Sequence, residues 1–159
     1  RNDPDKMILR HVGGGVNLRP TRLTPDEQYT HVSLWCVLSA PLLIGCDLSK
    51  LDDFTLNLLT NDEVIAVDQD PLGKQAQQVL KTDNYQVWMK AMEDGSKVIG
   101  LFNLSGKDDV IRFHWSDISV GSSQLVRDLW RQKDLGTFKG MFASKVAAHG
   151  VTLIKITEK

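Results

Sequence analysis

Asp70-Pro71-Leu72-Gly73 divides the sequence into two stretches whose apolar residues follow different periods. Proline lacks a backbone donor and glycine tolerates left-handed backbone, so the tetrapeptide ends the regular element before it. Upstream, Thr24-Pro25-Asp26-Glu27 reads as a helix start: Thr24 can cap, Pro25 suits the first helical position, and Glu27 stands where a capping box needs it. Tyr29, Val32, Cys36 and Val37 continue at helical spacing while Leu34, Trp35 and Leu38 fill the other faces, which predicts a helix over residues 25–39 buried nearly all round. Pro41 ends it. Leu42-Leu43-Ile44 is then a short apolar run of the kind shown by a parallel strand covered on both faces. A second helix is predicted after Asp52 and Asp53, whose charges favour the positive end of a helix dipole, and a short third one from Asp62 to Val67. Helix, strand and helix in succession indicate (β/α) repetition.

Beyond Gly73 the period becomes two. Tyr85-Gln86-Val87-Trp88-Met89-Lys90 and Lys97-Val98-Ile99-Gly100-Leu101-Phe102 flank Glu93-Asp94-Gly95-Ser96, and Asp-Gly between such runs signals a hairpin. Further strands are predicted at Asp109 to His114, Gln124 to Leu129, Lys139 to Ser144 and Val151 to Ile156, at the intervals of an all-β sandwich. The expected fold class is therefore α/β plus all-β, with the boundary between Gly73 and Gln78.

A chain of 159 residues with 42% hydrophobic and 25% charged residues and a net charge of -1 has the composition of a globular protein. Lys and Arg are scattered, so the footprint of nucleic-acid binding is missing, and apolar stretches such as Ala40 to Gly45 are far shorter than the roughly 20 residues of a membrane span. Neither nucleic acid nor membrane is an expected partner. Arg1-Asn2-Asp3-Pro4-Asp5 has no signal-peptide core and reads as an internal point or a processed end.

Cys36 and Cys46 make no disulfide framework and are expected to be buried free thiols. His11, His31, His114 and His149 lie far apart without partners at ligand spacing, so no metal and no cofactor is expected. Gly13-Gly14-Gly15 lacks the Lys-Ser/Thr that a phosphate cradle needs and reads as a loop. Trp35, Trp88, Trp115 and Trp130 read as core rather than sugar-stacking platforms. Asn103-Leu104-Ser105 matches a glycosylation acceptor, a motif short enough to arise by chance.

Three ordered blocks carry a resemblance. Asn2-Asp3-Pro4-Asp5, then Ala40-Pro41-Leu42-Leu43-Ile44-Gly45-Cys46-Asp47-Leu48, then Val64 through Gln75 closely resemble the end of the catalytic domain of glycoside hydrolase family 27, the α-galactosidases and α-N-acetylgalactosaminidases. Val126-Arg127-Asp128-Leu129-Trp130, Asp134-Leu135-Gly136-Thr137-Phe138 and Ala148-His149-Gly150-Val151 resemble the family's C-terminal β-domain. The resemblance implies a partial (β/α)8 TIM barrel, its last βαβα, over residues 1–72, and an antiparallel β-sandwich over 78–159.

It also implies a retaining mechanism in which one carboxylate attacks the anomeric carbon and a second protonates the leaving oxygen. In the family both precede the Asn-Asp-Pro-Asp loop, so no catalytic residue is expected in this chain, and the isolated chain is expected to be inactive. The loop's last aspartate maps onto Asp5, where a carboxylate would accept hydrogen bonds from sugar hydroxyls. From spacing alone Asp3 and Asp5 read as turn formers around Pro4; the resemblance reassigns Asp5 and leaves Asp3 as one. Family members carry Trp before this loop and Met-Leu after it, whereas here the neighbours are Arg1, Lys6 and Met7, so an apolar wall has become basic.

Asp5 and Lys6 are thus the expected substrate-binding residues, with an α-galactoside-type carbohydrate as ligand. The parent enzyme is expected to be secreted, periplasmic or lysosomal. The rival expectation is a non-catalytic β-sandwich module that stabilises the barrel or binds carbohydrate itself. As a partial barrel, residues 1–72 are expected to expose Leu34, Trp35, Val37 or Leu38, and to associate with the N-terminal barrel half or with another copy.

Overall fold

The computed structural model describes residues 5–13 and 18–159. Residues 1–4 and 14–17 lie outside the described residues, and with them the readings of Asp3 as a turn former and of the full glycine run. A small antiparallel pair, β1 (His11–Val12) and β2 (Arg19–Pro20), precedes helix α1 (Pro25–Val37). The capping box forms: Glu27 N donates to Thr24 Oγ1 at 3.3 Å, and Thr24 N donates to Glu27 Oε2 at 2.8 Å. Helices α2 (Asp53–Thr60) and α3 (Asp62–Asp68) start on Asp52 and Asn61, whose side chains accept from Thr55 N at 2.9 Å and Val64 N at 3.1 Å.

The strand expected at Leu42-Leu43-Ile44 forms only a single parallel bridge, Met7 to Ile44. Met7 N donates to Leu43 O at 2.8 Å and Gly45 N donates to Met7 O at 3.0 Å. Leu43 and Ile44 are 53% and 46% exposed, so the expectation of a strand covered on both faces is corrected. A covered parallel strand needs neighbours on both edges. Among the described residues, the bridge at Met7 is the only pairing this run makes.

The second half is antiparallel throughout. Strands β3 (Gln77–Lys81), β4 (Tyr85–Ala91), β5 (Lys97–Asn103), β6 (Asp109–His114), β7 (Ser123–Asp128), β8 (Lys133–Lys139), β9 (Met141–Val146) and β10 (Val151–Glu158) form a six-stranded sheet of order β3-β4-β5-β10-β7-β8, faced by the pair β6-β9. Between the two sheets lie Val87, Ile99, Leu101, Phe113, Trp115 and Ile154 with their neighbours. The strand expected from Lys139 to Ser144 is broken at Gly140, whose φ of +74° lets the chain leave β8 and enter the other sheet as β9. Strands β3 and β8 are sheet edges, largely exposed and without the alternating burial of β7.

The other face of the six-stranded sheet carries the helices. Val98, Phe102 and Leu153 pack with Val32, Cys36 and Val37 of α1, and with Leu58, Val64 and Val67 of α2 and α3, in one continuous cluster. Strand β5 is accordingly buried on both sides, and Gly100 has no room for a side chain because a Cβ there would lie 2.5 Å from the Phe102 ring. Val37 is fully buried, and Leu34, Trp35 and Leu38 are half-buried against the same cluster. The expected exposure of α1 is corrected: the sandwich supplies the floor for this helix, and the open apolar surface lies instead at Ile8, Leu43 and Ile44.

Polar contacts fasten the same seam. Arg127 of β7 grips Glu63 of α3 with Nε to Oε2 at 2.8 Å and Nη2 to Oε1 at 2.6 Å, and Trp130 Nε1 donates to Ser33 Oγ at 2.8 Å. The paired carboxylates Glu63 and Asp134 raise the Arg127 pKa above its ordinary value.

Candidate functional site

Residues 6–9 run extended, so their side chains alternate. Met7 and Leu9 are 2% and 0% exposed and join the core under α1, which sends Lys6 and Ile8 to the opposite side. There they meet Ile44, Gly45, Cys46 and Asp47 in an open cleft of ≈ 580 Å³. That volume lies within the range of about 300–1,000 Å³ found for small-molecule sites. Gly45 is what lets the two segments approach: a Cβ on it would fall 2.8 Å from Met7 O and from Lys6 Cγ.

Of the two residues expected to bind substrate, Lys6 lines the cleft and Asp5 does not. Asp5 is exposed, with φ of +73°, a left-handed backbone that costs a non-glycine residue energy and that Asp tolerates better than most. Cys46 and Asp47 are cleft residues that reading the sequence missed, because their block was read for its apolar run. Asp47 accepts from Ser49 Oγ at 2.7 Å and Ser49 N at 3.0 Å, which hold its carboxyl below the usual range.

Burial pushes the Cys46 thiol upward, and it pushes Cys36 up to about 12. Neither is a poised nucleophile. Among the described residues, no group of three His, Cys, Asp or Glu is placed to hold a metal ion. The cleft presents one ammonium, one occupied carboxylate and an apolar wall, an arrangement suited to holding a polar ligand.

Two family descriptions match the chain: "Alpha galactosidase A" over residues 1–70 and "Alpha galactosidase C-terminal beta sandwich domain" over residues 82–156. The α-galactosidase of Cyamopsis tetragonoloba is 34% identical over 99% of this chain and 37% of its own length. A solved GH27 β-L-arabinopyranosidase from Geobacillus stearothermophilus superposes with a TM-score of 0.90 at 35% identity, covering 98% of this chain and 37% of that one. The α-galactosidase I of Mortierella vinacea superposes at 0.88 with 31% identity, covering 99% of this chain and 40% of that one. The chain belongs to glycoside hydrolase family 27. It carries the C-terminal part of the family's barrel followed by the β-sandwich, and it spans roughly two fifths of the relatives it matches.

The remaining candidates fall into place around this family 27 architecture. Trp35, Trp88 and Trp130 pack against the helix-side core and Trp115 sits between the sheets. A second cavity, of ≈ 320 Å³, opens between α1 and β10 beside Tyr29 and Trp130, but those two rings meet edge to face at 4.8 Å, and Arg131–Asp128 (2.6 Å) and Lys145–Asp108 (2.9 Å) pair all its charged residues but Asp26 with one another. Asn103 of the Asn-Leu-Ser motif is 2% exposed, and its Nδ2 donates to the carbonyls of Lys107, Val146 and Ala147 at 2.9–3.1 Å. A glycan acceptor needs that nitrogen free; here it knots a turn.

Proposed function

We propose that this chain is the C-terminal portion of a retaining glycoside hydrolase that removes terminal α-linked galactose-type residues in carbohydrate catabolism, with Asp5 and Lys6 in the sugar-binding loop. The supporting observation is the cleft itself, in which the alternation of residues 6–9 presents the Lys6 ammonium beside a glycine-cleared backbone. Asp5 precedes it on an exposed, left-handed turn, where its carboxylate can accept from sugar hydroxyls. The reacting carboxylates belong to the preceding part of the barrel, so residues 1–72 bind and the double displacement is completed elsewhere. That part of the barrel is the partner proposed for the open face at Ile8, Leu43 and Ile44. The sandwich over 78–159 serves as the floor that keeps α1 in place.

The test is Asp5→Ala in the enzyme that contains this chain. The expected result is a large rise in KM for an aryl α-galactoside with an unchanged thermal transition; a wild-type KM and kcat would remove Asp5 from the site. The likeness to a β-L-arabinopyranosidase carries a second reading. L-arabinopyranose presents the galactose ring without its hydroxymethyl group, and relative kcat/KM on the two aryl glycosides decides between them.

A further inference from the structure

The extended segment behind Asp5 and Lys6 has two hydrogen-bonding edges. Met7 turns its N–H and C=O toward residues 43–45, as described. Ile8, one residue on, points its backbone groups the other way. Side chains meet them there: Ile8 N donates to His31 Nε2 of α1 at 3.2 Å, and Thr21 Oγ1 donates to Ile8 O at 3.2 Å. One helical turn before His31, Gln28 Oε1 accepts from Arg10 N at 3.5 Å. The imidazole is itself held, with its centroid 4.0 Å from that of Trp35, one turn further along α1.

We infer that His31 is a positioning residue for the sugar-binding loop: its unprotonated Nε2 fixes the Ile8 amide and thereby the register that sends Lys6 to the cleft and Met7 to the core. A slip of one residue would exchange the two sets of side chains, placing an ammonium under α1 and a thioether in the cleft. Accepting at Nε2 requires the neutral ring with its proton on Nδ1. A protonated ring would set two donors against each other at this contact. His31 is half-buried, and burial lowers its pKa below the ordinary value, which keeps the acceptor available near neutrality. The charged residues are Asp26 and Glu27 on its own helix, Asp5, Lys6 and Arg10 on the extended segment, and Arg19 and Arg22 beside Thr21; burial alone accounts for the lowering.

The inference rests on the reading of Asp5 and Lys6 as sugar contacts, and the experiment separates the two. In the 15N-labelled chain, the neutral His31 ring should show the Nδ1–H tautomer, and the Lys6 and Ile8 amide signals should move with the ring as pH falls below 6.5. His31→Phe should abolish that movement and speed Ile8 amide exchange roughly tenfold, while the signals of β5 stay in place. His31→Gln, which retains an acceptor oxygen, should restore slow exchange without restoring the titration. An Nε2–H tautomer in the unaltered chain, or the same pH dependence of Lys6 and Ile8 in His31→Phe, would overturn the role, and the tautomer measurement stands even where a variant fails to fold. Asp5→Ala with wild-type KM would instead remove the sugar contact while leaving the His31 result intact.

Discussion

Lys90 of β4 is fully buried and donates its ammonium to the hydroxyl of Ser39, the left-handed residue that closes α1. Burial lowers the Lys90 pKa, and the carboxylates of Asp68 and Asp70 oppose that shift. The charge is therefore held between the sandwich and the ends of two helices. Lys90→Met keeps most of the volume but removes the buried ammonium that Ser39 and the nearby carboxylates favour, which is expected to lower unfolding free energy by about 1–3 kcal/mol. Adding Asp68→Asn should recover much of the loss. Urea unfolding of the two variants checks this, and a Lys90→Met chain as stable as the original would show that the buried ammonium contributes nothing.

Asp94, in the β4–β5 turn, accepts from Lys155 Nζ at 2.7 Å and from Ser96, and these hold its carboxyl at about 2. Its folded pKa is depressed, so its contribution is present above the unfolded value of about 4 and is lost as pH falls toward 2. The Asp94 side chain is 55% exposed, and solvent screening limits the gain to under about 1 kcal/mol. Asp94→Asn should therefore lower Tm slightly at pH 6 and not at pH 2. An equal difference at both values would assign the effect to the turn rather than to the charge.

Asn103 spends its amide on three carbonyls while its Oδ1 accepts from Ser105 N and Oγ, both at 2.9 Å. Asn103→Asp replaces the donor by an anion facing those carbonyls and is expected to cost about 3 kcal/mol or more. Expression through a glycosylating secretory route should leave Asn103 unmodified, as intact-mass measurement would show. A glycan found there on folded protein would mean that this turn is not assembled as described.

Local chemistry was legible in the sequence where it acts over a few residues. The Thr24–Glu27 capping box, the Asp94-Gly95 hairpin and the β-branched and apolar runs of β5 and β10 all declare themselves within one element. Strand β8 did not, because an edge strand packs on one side at most and Lys133-Asp134-Leu135-Gly136-Thr137 carries no alternating burial. The burial of α1 was legible in its all-round apolar surface, but the partner was not: Val98, Phe102 and Leu153 lie more than sixty residues away, on a sheet whose second face no period can reveal. At the cleft, Lys6 is a residue the sequence pointed to and Asp5 lies outside the lining, whereas Gln28 and His31 touch the segment behind it through backbone groups, which leave no pattern.

Amide exchange of the chain by itself tests how its stability is distributed. Helix α1 shares its core with β5 and β10, and burying side chains such as Val32, Val37, Phe102 and Leu153 together is worth about 1.5–3 kcal/mol each. Opening α1 alone would expose both sides of that cluster, so its amides should exchange on the same slow scale as those of β5 and β10. Residues 42–50 have less of that support: Leu42 and Cys46 touch the cluster, but Leu43, Ile44 and Leu48 are 53%, 46% and 58% exposed, and the backbone pairing is one bridge and a few single hydrogen bonds. They should exchange faster by orders of magnitude, and the same apolar surface should drive concentration-dependent self-association. Ile44→Lys is expected to reduce that association without changing protection of α1. Fast exchange through α1, with slow exchange confined to the sandwich, would show that the helix is not docked in solution and that the continuous core under it does not hold.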